Sequence, residues 1–184
     1  MSKEAELKKK LDECPSGIKG WKQFEDICTE ILEYLFCPPL KKPKEQIRTL
    51  SGVSRRDMIF PNRNIDVGNT LAEENWHLLL VELDARMILF EYKNYGKSEL
   101  GPNAVIQASD YLTKTIGRLG IIVSTKKPND SALQKRNTIY TNNKKVILFL
   151  TKADLKEMLD MKERGDEPSE FIVDKEEFFF LQHE

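Results

Sequence analysis

Apolar residues recur three or four positions apart over several stretches of the chain, which is the spacing of one face of a helix. Two starts are marked by a capping-box pattern, Thr70 with Glu73 and Thr151 with Asp154. The first 14 residues are densely charged and are compatible with either a helix or a frayed arm. The pattern predicts helices over residues 18–36, 70–83, 103–116, 131–140 and 151–162.

Shorter, uninterrupted apolar runs lie between these helices and predict buried strands at residues 86–92, 120–124 and 145–150. Two further short strands are predicted at residues 46–50 and 55–60, bounded by turn residues. Apolar strands that alternate with helices are typical of an α/β fold. We therefore expect a mixed central β-sheet flanked by helices on both faces.

The chain of 184 residues has the size of one domain. We expect an N-terminal arm over residues 1–17, an α/β core over 18–162 and an acidic C-terminal tail over 163–184. Within that tail, the apolar cluster at residues 178–181 is expected to pack on the core or on a second subunit. No apolar run has the length of a membrane helix, and the charged N-terminus lacks a signal-peptide core. These features predict a cytoplasmic protein with no membrane partner.

Charge is unevenly distributed, although the net charge is only −1. The total excludes a uniformly basic nucleic-acid binder, but local charge still steers a polyanion. Residues 41–63 carry seven cations against two acids, and residues 114–136 carry six against one. Residues 153–184 carry eleven acids against four cations. The two basic segments are candidate phosphate contacts, or solvated faces with no ligand.

Cysteine and histidine chemistry is weakly supported. The cysteines Cys14, Cys28 and Cys37 form no C-x-x-C pair and are interpreted as free thiols. His77 and His183 are too few for a zinc site of about four ligands or for a catalytic triad with a supporting context. Carboxylates and lysines are therefore left to carry any chemistry.

The predicted strand at residues 86–92 leads into a Glu91-Tyr92-Lys93 sequence. Alternate residues of a strand share a face, so Glu91 and Lys93 project from one side at its end. A carboxylate suits a hard divalent cation, and a neighbouring ammonium can stabilise a phosphate or orient the attacking water. The alternative is a plain ion pair at a strand end.

Two further acids complete a candidate constellation. Asp57 lies in an otherwise apolar strand, where a carboxylate is costly unless it is paired or bound to a metal. Arg55 on the same face offers a simple partner. At 100° per residue, the apolar residues of the helix over residues 18–36, including Ile18 and Trp21, fall in one core-facing arc. Glu25 falls inside this arc, where it could instead satisfy a backbone or arginine partner.

These residues resemble the PD-(D/E)xK nuclease superfamily, in particular its Mrr-like, prokaryotic defence-associated branch. The resemblance covers residues 18–159 and is carried by GWKQFE at 20–25, RRDMIFPN at 55–62 and FEYKNY at 90–95. It implies a restriction-endonuclease-like core and a single nuclease-like domain. It further implies that Asp57 and Glu91 bind Mg²⁺, with Mn²⁺ able to substitute, that Glu25 joins the metal shell, and that Lys93 acts at the attacking water.

The sequence departs from the family pattern at two points. Arg56, not proline, precedes Asp57, and the long interval from Asp57 to Glu91 makes the helix at residues 70–83 an insertion between core strands. Gln107 and Tyr111, one helical turn apart, are similar to a Q-x-x-x-Y motif of RecB-like relatives that faces the active site. The alternative is an ordinary helix surface with a packed tyrosine.

The implied activity is hydrolysis of DNA phosphodiester bonds in restriction or anti-phage defence. Double-stranded DNA is the first choice of substrate, with single-stranded DNA and RNA left open. A non-cleaving nucleic-acid-binding or assembly module and a ribonuclease or junction-resolving nuclease are the alternatives. A homodimer is expected, and a sensor domain or partner subunit is left open. The expected nucleic-acid contacts are Arg48, Arg55, Arg56, Lys126 and Lys127.

Overall fold

The computed structural model describes residues 2–45, 58–63 and 70–183. Within these ranges the strands are β1 (Lys44–Glu45), β2 (Met58–Pro61), β3 (Met87–Lys93), β4 (Leu119–Ser124) and β5 (Val146–Thr151). A short 3₁₀ turn at Ile18–Gly20 precedes the second helix. The helices are α1 (Lys3–Glu13), α2 (Trp21–Phe36), α3 (Leu71–Leu83), α4 (Pro102–Tyr111), α5 (Asp130–Asn143), α6 (Lys152–Arg164) and α7 (Ser169–Leu181).

The sheet has the order β1-β2-β3-β4-β5, antiparallel from β1 to β3 and parallel from β3 to β5. The expected mixed sheet is thereby confirmed. Its parallel half brings the carboxyl ends of β3, β4 and β5 to one edge. Lys93, Ser124 and Thr151 stand side by side in the register of that edge. The predicted strand at residues 46–50 lies outside the described residues.

Helices cover both faces of this sheet, as the continuous apolar strands predict. In β3, Phe90 and Tyr92 belong to a large core formed with α1, α2, α3, α6 and α7. Leu89, which alternates with them, belongs to a second core beneath α4 and α5. Glu91 and Lys93 have the same parity as Leu89 and therefore lie on the α4 side.

The helix predicted over residues 103–116 ends early, at Tyr111. Leu112 adopts an extended backbone with φ −78° and ψ 94°, which stops the helical hydrogen-bond series. Gly117 then adopts φ 114°, and a Cβ there would lie 2.1 Å from the carbonyl oxygen of Asp84. Both features turn the chain sharply into β4, so the apolar Ile116 belongs to this turn and not to the helix.

The charged N-terminal segment forms α1 and packs into the fold. Leu7 and Leu11 are fully buried in the large core. Lys8 forms ion pairs with Asp160 and Glu163 of α6, the latter at 3.2 Å. Part of the acidic charge of α6 is therefore neutralised within the domain by Lys8 of the first helix.

The C-terminal segment forms the helix α7, which the sequence pattern did not predict. Ile172, Glu176 and Phe179 are buried at helical spacing, whereas Phe178 and Leu181 are 60% and 71% exposed. The cluster at residues 178–181 thus packs on the core only in part. Across the described ranges, no helix has both the length and the apolar character needed to cross a bilayer.

Candidate active site at the carboxyl edge of the sheet

The Glu-x-Lys sequence lies at the last three positions of β3, beside the carboxyl end of β4. Glu91 pairs in register with Ile122, and Lys93 pairs with Ser124. The strand forms here because the preceding residues Ile88, Leu89 and Phe90 are fully buried on both faces. Two candidate site residues thus lie on a central strand at the point where it leaves the core.

The two side chains form a close, largely dry pair. The Glu91 side chain is 1% exposed and that of Lys93 18%, and Lys93 Nζ lies 3.7 Å from Glu91 Oε2. Burying a carboxylate to this extent costs free energy that one ammonium at this distance only partly offsets. The predicted same-face arrangement of these residues is present in the structure.

Gln107 and Tyr111 of α4 extend this pair into a hydrogen-bonded line. Lys93 Nζ donates to Gln107 Oε1 at 2.9 Å, and Gln107 Nε2 donates to the Tyr111 hydroxyl oxygen at 2.9 Å. Tyr111 is buried, whereas Gln107 is exposed. An ammonium has three donors, so the bond to Gln107 fixes the direction of Lys93 and leaves capacity for a further acceptor.

The loop after β3 is braced from two sides. Asn94 accepts a hydrogen bond from the Gly17 backbone amide at 3.0 Å through Oδ1, and its Nδ2 donates to the Pro15 carbonyl at 2.9 Å. On the other side, the Tyr95 amide donates to Thr125 Oγ1 at 2.8 Å. Asn94 was not singled out from the sequence. Its position directly after the Glu-x-Lys sequence was the available signal.

Glu25 lies on α2, which packs on the other face of the sheet from Glu91. Its side chain is 16% exposed, and its carboxylate lies 3.7 Å from Lys22 Nζ. One turn later, the Thr29 hydroxyl lies 3.2 Å from the Tyr92 hydroxyl, which ties this part of α2 to the end of β3. The participation of Glu25 in a metal shell stays a prediction.

The remaining expected site residues are divided between described and undescribed parts of the chain. Asp57, Arg48, Arg55 and Arg56 lie outside the described residues. Lys126 and Lys127 follow β4 on the same edge as Lys93, and the Lys126 amide donates to Ser124 Oγ at 3.0 Å.

Ile18 and Trp21, expected from their spacing in the core-facing arc of the helix, are instead 90% and 47% exposed. Ile18 belongs to a separate 3₁₀ turn over residues 18–20 and is out of phase with α2. Trp21 is the first residue of α2, and residues 21–23 at this end of the helix are all exposed. This turn follows Gly17, which is bonded to Asn94, so the exposed apolar pair lies at the rim of the candidate site.

The donor chemistry of this edge fits a hard divalent cation only in part. Glu91 provides a carboxylate at the end of a central strand, the type of ligand that Mg²⁺ prefers. Among the residues that the structure describes, no group of three or more His, Cys, Asp or Glu is placed to hold a metal. Asp57 is not among those residues, so a complete ligand set depends on it.

The cysteines are unsuited to nucleophilic chemistry. All three are free thiols, as predicted. Burial raises the pKa of the Cys14 and Cys28 thiols, and it raises the pKa of Cys37 to about 11. Because the thiolate is the reactive form, these side chains act as apolar core residues at neutral pH.

Comparison with known proteins gives one significant relative. Over 114 residues, or 62% of this chain, the sequence is 32% identical to the Escherichia coli (strain K12) protein named "Putative transposon gamma-delta 80.3 kDa protein". The match spans 15% of the length of that relative. No family model matches the chain, and no solved structure matches it significantly.

Proposed function

We propose that the chain is a Mg²⁺-dependent endonuclease of the PD-(D/E)xK type that hydrolyses phosphodiester bonds of DNA. Glu91, Asp57 and Glu25 would hold the cation, and Mn²⁺ would substitute for it. The observation that carries the proposal is the line of contacts from Glu91 through Lys93 and Gln107 to Tyr111.

This line favours chemistry over a simple stabilising ion pair. A buried carboxylate and ammonium of this kind often stabilise a fold no better than apolar residues of similar volume. Here the lysine is also oriented by a glutamine that a buried tyrosine holds in turn. Such support is expected where a reacting group must be held within about 0.5 Å of its productive position.

The residues of this edge have separable roles in the proposed reaction. When bound, Mg²⁺ would polarise the phosphate and make a bound water more acidic. Lys93 Nζ would donate to a phosphate oxygen or to the attacking water, and the Gln107 contact would keep Nζ at that position. Glu91 would be the ligand that the central strand provides.

The surroundings of the edge suit a polyanion. Lys126 and Lys127 stand beside the neighbouring strand end, and Lys19 and Lys22 flank the exposed Trp21. Lysines give phosphate affinity without reading sequence, and an exposed indole can stack on a base. The relative described above is named after a transposon, which is a DNA element, and this agrees with DNA as the first choice of substrate.

Digestion of supercoiled plasmid with Mg²⁺ or Mn²⁺ tests the proposal. The Glu91→Gln and Lys93→Met variants preserve side-chain size and remove one charge each, and we expect each to lower the cleavage rate about 100-fold or more. The exposed Glu99→Gln and Lys9→Met variants, both outside the basic segments, are matched controls that should cleave like the wild type. Thermal unfolding of all five proteins shows whether the fold is retained.

The outcomes separate the alternatives. Cleavage that survives both Glu91→Gln and Lys93→Met refutes the site assignment. Binding of DNA without cleavage in either metal identifies a non-cleaving binding or assembly module of the same fold. Parallel digests of single-stranded DNA, RNA and four-way junctions identify a ribonuclease or a junction-resolving enzyme.

The proposal includes a cytoplasmic location, a homodimer and a role in restriction or anti-phage defence, all of which rest on the sequence arguments. Sedimentation equilibrium tests the dimer, and Leu181 offers an exposed apolar contact for it. Phage plating with the wild type and with Glu91→Gln tests the defence role. Co-purification from the native host tests for a sensor or partner subunit.

A further inference from the structure

A cavity of about 520 Å³ lies at the carboxyl ends of β4 and β5, apart from the Glu91–Lys93 pair. Its walls come from the loop after β4, the end of β5, the start of α6, and the helices α5 and α7. Crevices outside the carboxyl ends of parallel strands are the usual binding places of open α/β sheets. The volume is also within the range of small-molecule sites, about 300–1,000 Å³.

Arg136 of α5 is the central cation of this cavity. Its guanidinium carbon lies 4.7 Å from the ring centre of Phe179 and 5.6 Å from that of Phe149, so the side chain packs against two aromatic residues. Its Nε donates to Asn137 Oδ1 at 3.3 Å. In the described part of the chain, no carboxylate lies within ion-pairing distance of Arg136. The terminal guanidinium nitrogens can therefore donate to a ligand.

The local charge of the cavity favours an anion. Lys127, Arg136 and Lys175 line it together with one acid, Asp154. The Asp154 carboxylate already accepts from the Thr151 amide at 2.6 Å and lies 3.2 Å from Lys175 Nζ. Because this acid is engaged by its own helix cap and by one lysine, Lys127 and Arg136 remain to bind a negative group.

Three phenylalanines, Phe149, Phe178 and Phe179, form part of the remaining wall, together with aliphatic and small polar residues. Phe178 is 60% exposed and lines the cavity beside Phe149. A planar guanidinium with free donors recognises phosphate, and an exposed aromatic ring offers a stacking surface to a base. A nucleotide carries both a phosphate and a base and is of a size that fits this volume.

We propose that this cavity binds a nucleotide, with its phosphate on Arg136 and Lys127 and its base against Phe178. Two sources share this chemistry. Thr151 stands two strands from Lys93 in the same register, roughly 10 Å away at ordinary strand spacing, so a nucleotide of a strand held at the edge would reach the cavity. A free nucleotide is the other source. Neither source requires that the Glu-x-Lys edge cleaves DNA.

Calorimetric titration in EDTA, where metal-dependent cleavage cannot occur, tests the proposal with three probes: inorganic phosphate, dTMP and the 5′-phosphorylated hexamer of thymidylate. We expect dTMP to bind the wild type at least fivefold more tightly than phosphate. Arg136→Gln and Lys127→Gln should each weaken dTMP binding by about tenfold. Phe178→Ala should weaken dTMP binding and leave phosphate binding unchanged. Lys135→Gln, with the same charge change on α5 outside the cavity, is the matched control.

Because Arg136 packs on two rings, its variant is paired with Lys127→Gln, whose side chain is exposed and carries no such packing.

Hexamer binding that is at least tenfold tighter than dTMP binding, and that the Arg136→Gln variant weakens, identifies the bound strand as the source. Equal affinities identify a free nucleotide. The proposal is overturned if no probe binds at 5 mM. It is also overturned if Lys127→Gln binds dTMP as the Lys135→Gln control does, or if phosphate binds as tightly as dTMP.

Discussion

The burial of Glu176 leads to a quantitative prediction of how the stability of the fold depends on pH. It lies on α7, is 1% exposed, and faces Glu82 of α3. Burial is the main cause that raises the pKa of Glu176 to about 7, followed by the charge and hydrogen bond of Glu82 and the charge of Glu177. The Glu176 carboxyl is therefore largely protonated in the folded protein in mildly acidic solution.

The sign of the effect on stability follows from proton binding. Between the ordinary pKa of 4.5 and about 7, the folded state holds a proton that the unfolded state has lost. The contribution is complete below the ordinary pKa and is lost as the pH rises through about 7. At about 1.4 kcal/mol per pKa unit, the free energy of unfolding falls by up to about 3 kcal/mol across this window.

Urea unfolding of the wild type and of Glu176→Gln between pH 5 and pH 8.5 measures this contribution. Glutamine has the shape of the protonated acid but does not titrate, and all other groups are common to both proteins. We expect similar stabilities near pH 5 and a variant that is more stable by up to about 3 kcal/mol at pH 8.5. Asp174→Asn, at an exposed position of the same helix whose charge is not a cause of the Glu176 shift, is the control and should track the wild type. If the free energies of unfolding of the wild type and of Glu176→Gln changed with pH in parallel, the reasoning would be refuted.

Two further predictions concern the site and the N-terminal helix. Gln107→Leu removes the acceptor of Lys93 Nζ, and we expect plasmid cleavage to slow about tenfold while the melting temperature stays within a few degrees; an unchanged rate would show that Gln107 does not hold Lys93. Leu11→Ala, at a fully buried position of α1, should lower the free energy of unfolding by about 2–5 kcal/mol in urea titrations. The exposed Lys9→Ala on the same helix should change it by less than about 0.5 kcal/mol, and equal small losses for both would contradict the packing of α1.

Short-range sequence patterns were enough to predict most of the helices and strands of this protein. The capping box predicted at Thr151 and Asp154 is present, because side chains three residues apart settle it without help from the rest of the chain. The apolar run before Glu91 predicted the central strand, and the period of two predicted that Glu91 and Lys93 share a face. The α/β class follows from the same alternation of strand and helix.

Other features depended on packing between distant segments. Helical spacing placed Ile18 and Trp21 in the core, but Ile18 lies in a separate 3₁₀ turn, Trp21 lies at the exposed start of α2, and neither is buried. The helix α7 was missed because its apolar residues form two dense runs, and only the buried positions Ile172, Glu176 and Phe179 reveal the helical period.

By itself, the sequence determined where the strands and most helices form and which face carries the Glu-x-Lys pair, since backbone geometry and periodicity are local properties. Only the tertiary structure decided that Gln107 holds Lys93, that Arg136 packs against two aromatic rings with no described carboxylate in ion-pairing distance, and that Glu176 is buried. Solvent exclusion and contacts between remote segments fix those properties, and neither exists until the elements pack together.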